Sequence, residues 1–115
     1  MYVNRMDPVE AFKLVLCRYL IDRGDMLFSM ARATGQKTLK VALYGLWRRH
    51  EAEETGYLQF MDIVEELAEC NSCLEKLKEI GVLEFVEIDR DPYMVVDVDK
   101  LHSFFEECGR TDASV

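Results

Sequence analysis

Apolar residues recur every three or four positions along the first third of the chain, which is the spacing of a helix with a buried face. Asp7 and Pro8 are typical of a helix start, because an Asp side chain accepts backbone N–H groups and proline suits the first turn. Gly24 is typical of a helix end. The pattern therefore predicts a first helix between Asp7 and Gly24, followed by a short second helix over residues 26–33.

The helical spacing continues in two further segments. Thr38 can cap a third helix, which extends to Arg49 and has an apolar stripe formed by Leu39, Ala42, Leu43, Leu46 and Trp47. From Phe60 to Ile80 the spacing fits one long helix. It fits two short helices equally well, with a break near Cys70, since the Asn and Ser that follow this residue are good caps.

After Gly81 the period of the apolar positions changes to two. Acidic and apolar residues alternate over 82–88, as they do in a half-buried strand. Residues 89–92 predict a turn and residues 93–98 a second strand, so the two strands form a β-hairpin. A final helix is expected over 99–109, with Asp99 as its cap.

This order of elements, helices followed by an antiparallel hairpin, resembles the winged-helix family of the helix-turn-helix superfamily. The segment Leu74–Val86 carries the resemblance, since it is similar to the end of a recognition helix that runs into the first strand of a wing. The other parts of the motif are a first helix at 44–49, a second helix at 60–68 and a wing tip at 89–92. The resemblance covers roughly residues 38–98 and implies a small DNA-binding transcriptional regulator.

Together these elements predict one helix-rich α+β domain over residues 1–115. Its winged-helix-like core, roughly residues 38–98, contains one antiparallel β-hairpin. Extra helices over 7–34 and 99–109 flank this core. The length of the chain is sufficient for a single hydrophobic core.

Charge changes this picture. The formal net charge is −8, which argues against DNA or an anionic membrane as a partner of the whole chain. However, residues 1–51 carry nine Lys or Arg and five Asp or Glu, whereas residues 52–115 carry five and seventeen. The candidate nucleic-acid contacts therefore come from the first half, and they are Arg32, Lys37, Thr38, Lys40, Arg48 and Arg49.

This basic segment also resembles a helix-turn-helix by itself. Residues 24–43, in which Ala31 is followed by Gly35, are similar to the short helix and turn of that family. Leu39–Arg49 would then be the recognition helix, with its first residues on bases and its last two arginines on phosphates. The alternative is a solvated basic face that pairs with the acidic half of the same fold or of a partner.

Two functions are therefore expected. The first is a small cytoplasmic, dimeric, DNA-binding regulator. The second is a winged-helix module that binds protein and not DNA, with an acidic partner-facing surface formed by the hairpin half. The second is favoured by Glu75, Lys76 and Glu79 near the end of the predicted recognition helix, because a phosphate backbone repels such a face.

The four cysteines allow several interpretations. Cys70 and Cys73 have a redox spacing that is also half of a metal site, but a structural zinc needs four ligands and no second Cys-x-x-Cys exists. Few Asn and Gln among many charged residues is a thermophile-like bias, and intracellular disulfides occur in such proteins. A bond between Cys17 and Cys108 would tie the first helix to the last. The alternative is four buried thiols.

Catalytic chemistry is not indicated. His50 and His102 are isolated from nucleophiles, the acidic residues are spread along helix surfaces, and no Gly-rich loop could hold a phosphate. We therefore expect no enzyme, no cofactor and no metal. No apolar run is long enough to span a membrane and the first residues do not resemble a signal peptide, so a cytoplasmic protein without a membrane partner is expected.

Self-association is also expected, because the first helix is apolar around much of its circumference. The candidate homodimer contacts lie on the first and last helices, and they are Phe12, Leu16, Tyr19, Leu101, Phe104 and Phe105. The alternative is that both helices close one monomeric core.

Overall fold

The computed structural model describes the backbone of residues 5–113 and the side chains of residues 5–108. It is a helix-rich α+β fold with an antiparallel sheet, which confirms the predicted class. The elements in chain order are α1 (Pro8–Thr34), β1 (Thr38–Ala42), α2 (Tyr44–Trp47), α3 (Ala52–Thr55), α4 (Phe60–Ala68), α5 (Asn71–Glu79), β2 (Val82–Ile88), β3 (Asp91–Asp97) and α6 (Val98–Ala113).

Helix α1 begins where the sequence predicts but continues past the predicted end. The Asp7 side chain accepts the backbone N–H groups of Val9 and Glu10, and the helix ends only at Gly35, which adopts the left-handed conformation with φ 67°. The predicted break at Gly24 is therefore wrong, as is a separate helix over 26–33. Gly24 is buried inside a continuous helix that runs under α6.

The third predicted helix is also wrong over its first half. Thr38–Ala42 is the strand β1, which pairs antiparallel with β3 from Thr38 opposite Asp97 to Ala42 opposite Tyr93. Only the single turn α2 remains of the helix expected up to Arg49. The recognition helix placed at Leu39–Arg49 does not exist, because these backbone groups pair with a distant strand instead.

The segment from Phe60 to Ile80 forms the two short helices α4 and α5. The break falls at Cys70, whose Sγ accepts the N–H of Cys73 at 3.2 Å and so caps α5. Of the two arrangements that the pattern allowed, the structure has the divided one.

The hairpin is confirmed, and β1 adds a third strand that the sequence did not indicate, giving the strand order β1-β3-β2. The turn between β2 and β3 is formed by Asp89 and Arg90, both with positive φ. Helix α6 starts one residue earlier than expected and continues to Ala113, past the predicted end at residue 109. The predicted cap Asp99 lies inside its first turn. That turn is capped by Asp97, which accepts the N–H of Lys100 at 3.0 Å.

The core lies where α1 crosses α4, α5 and α6 beside the inner face of the sheet. The ring of Phe12, with no exposed surface, stacks on Phe60 at 5.9 Å and meets the edge of Phe85 at 5.6 Å. One disulfide joins Cys17 of α1 to Cys108 of α6, and a second joins Cys70 to Cys73.

A buried polar corner follows α3. Thr55 is fully buried, and its Oγ1 lies 2.7 Å from His50 Nε2 and accepts the N–H of Tyr57. The hydroxyl of Tyr57 donates to Glu66 Oε2 at 2.6 Å. Burial, reinforced by this bond, raises the pKa of Tyr57 to about 12.

Candidate interaction surface

The six residues predicted to contact nucleic acid are not brought into one cluster. Arg32 borders a shallow depression at the end of α1, beside Gln36 and His102. Thr38 and Lys40 lie on the outer face of the edge strand β1, and Lys37 immediately precedes it. Arg48 and Arg49 line a separate groove between α1 and α2.

Arg49 is part of the internal packing and not a free cation. It bonds Asp22 Oδ2 at 2.9 Å and the carbonyl of Gly45 at 2.7 Å, and it lies 5.3 Å from the centre of the Tyr19 ring. Its side chain is 21% exposed. Arg49 therefore fastens α2 to α1, and a phosphate contact would have to break this arrangement.

Helix α5 contains the residues that the sequence predicted as the end of a recognition helix, but it is not basic. Its exposed side chains are Asn71, Ser72, Glu75, Lys76, Lys78 and Glu79, so two cations balance two anions. Lys78 pairs with Glu75 at 3.5 Å. The turn at the tip of the hairpin adds two Asp to one Arg, and neither feature attracts a phosphate backbone.

The most unusual surface lies elsewhere. Four large apolar side chains are more than half exposed there: Met26 at 64%, Met30 at 55%, Tyr44 at 59% and Trp47 at 55%. The two methionines are one helical turn apart on α1, and the rings of Tyr44 and Trp47 meet edge to face at 5.9 Å on α2.

Two grooves flank the Tyr44 ring. One of about 320 Å³ lies between α1 and α2, where Met26 and Met30 face Arg23 and Arg48. The other, of about 590 Å³, is lined by Trp47 of α2 and by hairpin residues that include Glu87, Arg90, Asp91, Pro92 and Tyr93. Ala42 and Tyr44 line both, so the two grooves adjoin. We call Arg23, Met26, Met30, Tyr44, Trp47, Arg48 and Arg90 the aromatic–arginine surface.

The arginines of this surface are available. In the described part of the chain, no carboxylate forms an ion pair with Arg23, Arg48 or Arg90. Arg48 lies 5.8 Å above the Tyr44 ring. The surface thus presents cations and apolar rings side by side, a composition enriched at protein interfaces and depleted elsewhere on protein surfaces.

This surface is not apparent from the sequence, in which Trp47 continues an apolar stripe of the kind that a helix buries. The usable signal was the spacing of two pairs: Met26 and Met30 are four residues apart, and Tyr44 and Trp47 three apart, with Arg48 directly after Trp47. Such pairs lie on one side of a helix. They gave no indication of whether that side was buried.

The predicted dimer contacts lie within the monomer's own core. Phe12, Leu16 and Leu101 have no exposed surface and Phe104 is buried. The other two are half-buried under their own chain, Tyr19 beside Gly45 and Phe105 beside Gly24. Within one chain these six side chains are therefore covered partly or fully by the chain's own residues, and the homodimer stays a prediction.

A further groove of about 730 Å³ runs along α1 and α6, with Leu14, Ile21 and Phe104 among its lining residues. Every cation on its rim is already in an ion pair within the chain: Arg18 with Glu54, Arg49 with Asp22 and Lys13 with Glu10. This groove therefore offers fewer unpaired groups to a partner than the aromatic–arginine surface does.

Catalytic and metal-binding groups do not converge in the described residues. No group of three His, Cys, Asp or Glu is placed to hold a metal ion in that part of the chain. His102 Nδ1 lies 3.4 Å from Glu106 Oε1 and its ring packs on Phe28. His50 Nε2 is hydrogen-bonded to Thr55 Oγ1. Across the same residues, every helix is too short or too polar to cross a membrane.

Comparison with known proteins gives no relative. No protein-family model matches the chain, and neither the curated proteins nor the solved structures contain a significant match.

Proposed function

We propose that this chain is a winged-helix-like domain that binds another protein through the aromatic–arginine surface. The partner contributes an acidic amphipathic segment, whose apolar side covers Met26, Met30, Tyr44 and Trp47. The observation that carries the proposal is the exposure of these four side chains beside arginines without an ion pair in the described structure.

The order of elements supports the winged-helix part of the proposal. Helices α4 and α5 and the hairpin β2–β3 follow one another as the resemblance implies, and the unexpected strand β1 pairs with β3 at one edge of the sheet. Winged-helix domains commonly bind their ligand with the helix that corresponds to α5. Here the balanced charge of α5 moves the expected contact to α1, α2 and the hairpin.

Energetics support an apolar occupant. Burying an exposed Met, Tyr or Trp side chain is favourable by about 1.5–3 kcal/mol, so four such neighbours favour binding of a molecule that covers them. Trp, Tyr and Arg are also the residues that contribute most to the affinity of protein interfaces.

Charge selects the chemistry of that occupant. Arg23 and Arg48 border the groove that holds the two methionines, so carboxylates at that edge of a bound segment would meet a guanidinium. The groove beside Trp47 has Arg90 together with Glu87 and Asp91, so the preference for acidic residues comes mainly from Arg23 and Arg48. A helix with Leu or Phe on one side and Glu beside them satisfies both requirements. This mode of binding is a helix in a groove.

The chain provides its own probe, since Trp47 is its one tryptophan. We would titrate the protein with a helical peptide that has Leu and Phe on one face and Glu at its borders, and follow Trp47 emission. A matched peptide with Lys in place of Glu is the control. The acidic peptide is expected to shift the emission to shorter wavelength and to bind at least about tenfold more tightly.

Three variants locate the contact. Arg48→Glu and Tyr44→Ala are expected to weaken the acidic peptide about tenfold or more. Leu58→Ala, at an equally exposed apolar residue outside the surface, is expected to leave binding unchanged. Equal affinity for the two peptides, or no change in Trp47 emission at millimolar peptide, contradicts the proposal.

DNA is the second candidate, because Arg32, Lys37 and Lys40 are exposed and have no ion pair in the described structure. It predicts binding to a nonspecific duplex that weakens steeply with salt and is lost when Lys37 and Lys40 are both changed to Ala. If the chain binds the duplex in this way and does not bind the acidic peptide, its partner is DNA and not a protein. Dimers that dissociate on Trp47→Ser would instead identify the occupant as a second copy.

A further inference from the structure

The two disulfides have different positions in the fold. Cys17–Cys108 joins the first and last helices across 91 positions of sequence, whereas Cys70–Cys73 spans three positions within the first turn of α5. A cross-link stabilises mainly by restricting the unfolded chain, and it does so more when it closes a longer loop. Stability therefore accounts for the first bond far better than for the second.

Cys70–Cys73 also lies where a reagent can reach it. Cys70 is half-buried, and the two residues between the cysteines, Asn71 and Ser72, are exposed. Cys73 faces inward and is 8% exposed. The two sulfur atoms therefore differ in access, with Cys70 as the outer one.

The first turn of α5 favours a thiolate at that outer sulfur. Cys70 Sγ lies 3.2 Å from the N–H of Cys73 and 3.4 Å from Ser72 Oγ, so two donors are within reach of it. The positive end of the helix dipole adds to this effect. In the described part of the chain no further His, Cys, Asp or Glu completes a metal site around the pair.

We propose that Cys70 and Cys73 form a thiol–disulfide exchange site that reacts while the rest of the chain stays folded, with a dithiol as its reductant. A thiolate of the dithiol attacks Cys70 Sγ, which forms a mixed disulfide and breaks the Cys70–Cys73 bond. Cys73 leaves as a thiolate and takes up a proton. The second thiol of the reductant then attacks its own sulfur in the mixed disulfide and releases Cys70.

The two exchange steps are balanced in atoms and electrons. Two electrons pass from the dithiol to the protein disulfide, and the reductant is released as its own disulfide. In the reverse direction a disulfide substrate accepts the two electrons. The leaving group is the buried sulfur in the first step, because the accessible one is attacked.

The experiment uses the full chain under native conditions. The protein is equilibrated with graded ratios of reduced to oxidised dithiothreitol, the free thiols are alkylated, and each cysteine is quantified by mass spectrometry. We expect Cys70 and Cys73 to become labelled together while Cys17 and Cys108 stay bonded. Circular dichroism during the same titration is expected to remain unchanged.

Two variants test the order of attack. The Cys73→Ser chain is expected to form a mixed disulfide at Cys70 with oxidised glutathione. The matched Cys70→Ser chain, whose remaining thiol is the buried one, is expected to react at least about tenfold more slowly.

Labelling of all four cysteines together, or of Cys70 and Cys73 only after the circular dichroism signal is lost, would overturn the proposal. Equal rates in the two single variants would overturn the assigned order. Because the titration uses the unaltered chain, it gives a decisive result even if a variant fails to fold.

Discussion

Gly24 lies against the ring of Phe105, so closely that a Cβ atom built on the glycine would stand 2.9 Å from Phe105 Cε1. The ring is held on its other side by Phe28, with centroids 5.4 Å apart. Helix α1 therefore continues through a residue that usually ends helices, because α6 needs the space that a side chain would fill.

This contact predicts an effect of Gly24→Ala that depends on Phe105. With Phe105→Ala as background, the added methyl group meets no ring and the variant gains about 1 kcal/mol of helix propensity. In the natural chain the ring has to move, so this gain is expected to be reduced or reversed. Urea unfolding of the four chains measures the coupling, and additive effects would contradict it.

The disulfides are expected to differ in their contribution to stability. Replacing Cys17 and Cys108 by Ala removes a cross-link over 91 positions and should lower the free energy of unfolding by about 4–5 kcal/mol. Replacing Cys70 and Cys73 by Ala should cost about 2 kcal/mol or less. Denaturant midpoints under oxidising conditions compare the two pairs, and equal losses would contradict the expectation.

Stability should also fall as the pH drops toward 5. Burial lowers the pKa of His50 below its ordinary value of 6.5, against the opposing influence of Asp62, Glu54 and Glu51. The unfolded state therefore binds the proton more tightly than the folded state does. The stabilisation is complete above about pH 6.5 and is lost as the pH falls through the lower, folded pKa.

His50→Gln provides the matched measurement for this effect, since the amide can still bond Thr55 but does not titrate. Melting temperatures of both chains between pH 8 and pH 5 are expected to diverge below pH 6.5, with the steeper decrease in the natural chain. Parallel curves would assign the pH dependence to other groups.

Substitutions in the hairpin turn are expected to raise the free energy of unfolding and to lower the affinity for the acidic peptide. Asp89 and Arg90 have φ values of 52° and 73°, a conformation that favours Asn and Gly. Asp89→Asn combined with Arg90→Gly should stabilise the fold by about 1 kcal/mol. It should also weaken the acidic peptide, because Arg90 borders the groove beside Trp47. Arg90→Lys keeps the charge and is the control; a more stable double variant with unchanged affinity would separate the turn from the surface.

Where a pattern depends on neighbours in sequence, the sequence predicted the fold. The Asp7 cap and the alternation over 82–88 need only local contacts, so both positions are as expected. Where the conformation of a residue depends on a contact with a part of the chain distant in sequence, the prediction was wrong. Gly24 is explained by Phe105, and Thr38–Ala42 is a strand because β3 offers it backbone partners more than fifty positions later.

The candidate surface was harder to predict than the fold, because composition does not distinguish a buried ring from an exposed one. Trp47 follows the spacing of Leu43 and Leu46, which are both buried, yet it faces outward because α2 is only one turn long. Arg49 looked free in sequence and is held by Asp22 and Gly45 in the structure. Charge alone could not separate it from Arg48.

The Cys17–Cys108 bond closes the polypeptide between these two residues into a covalent ring. A protease that cuts once inside this ring, for example in the turn between β2 and β3, opens it without releasing a fragment. The two pieces would migrate as one molecule until a reductant separates them. A backbone cut in the hairpin is therefore a change that the molecule can survive with its parts held at high effective concentration.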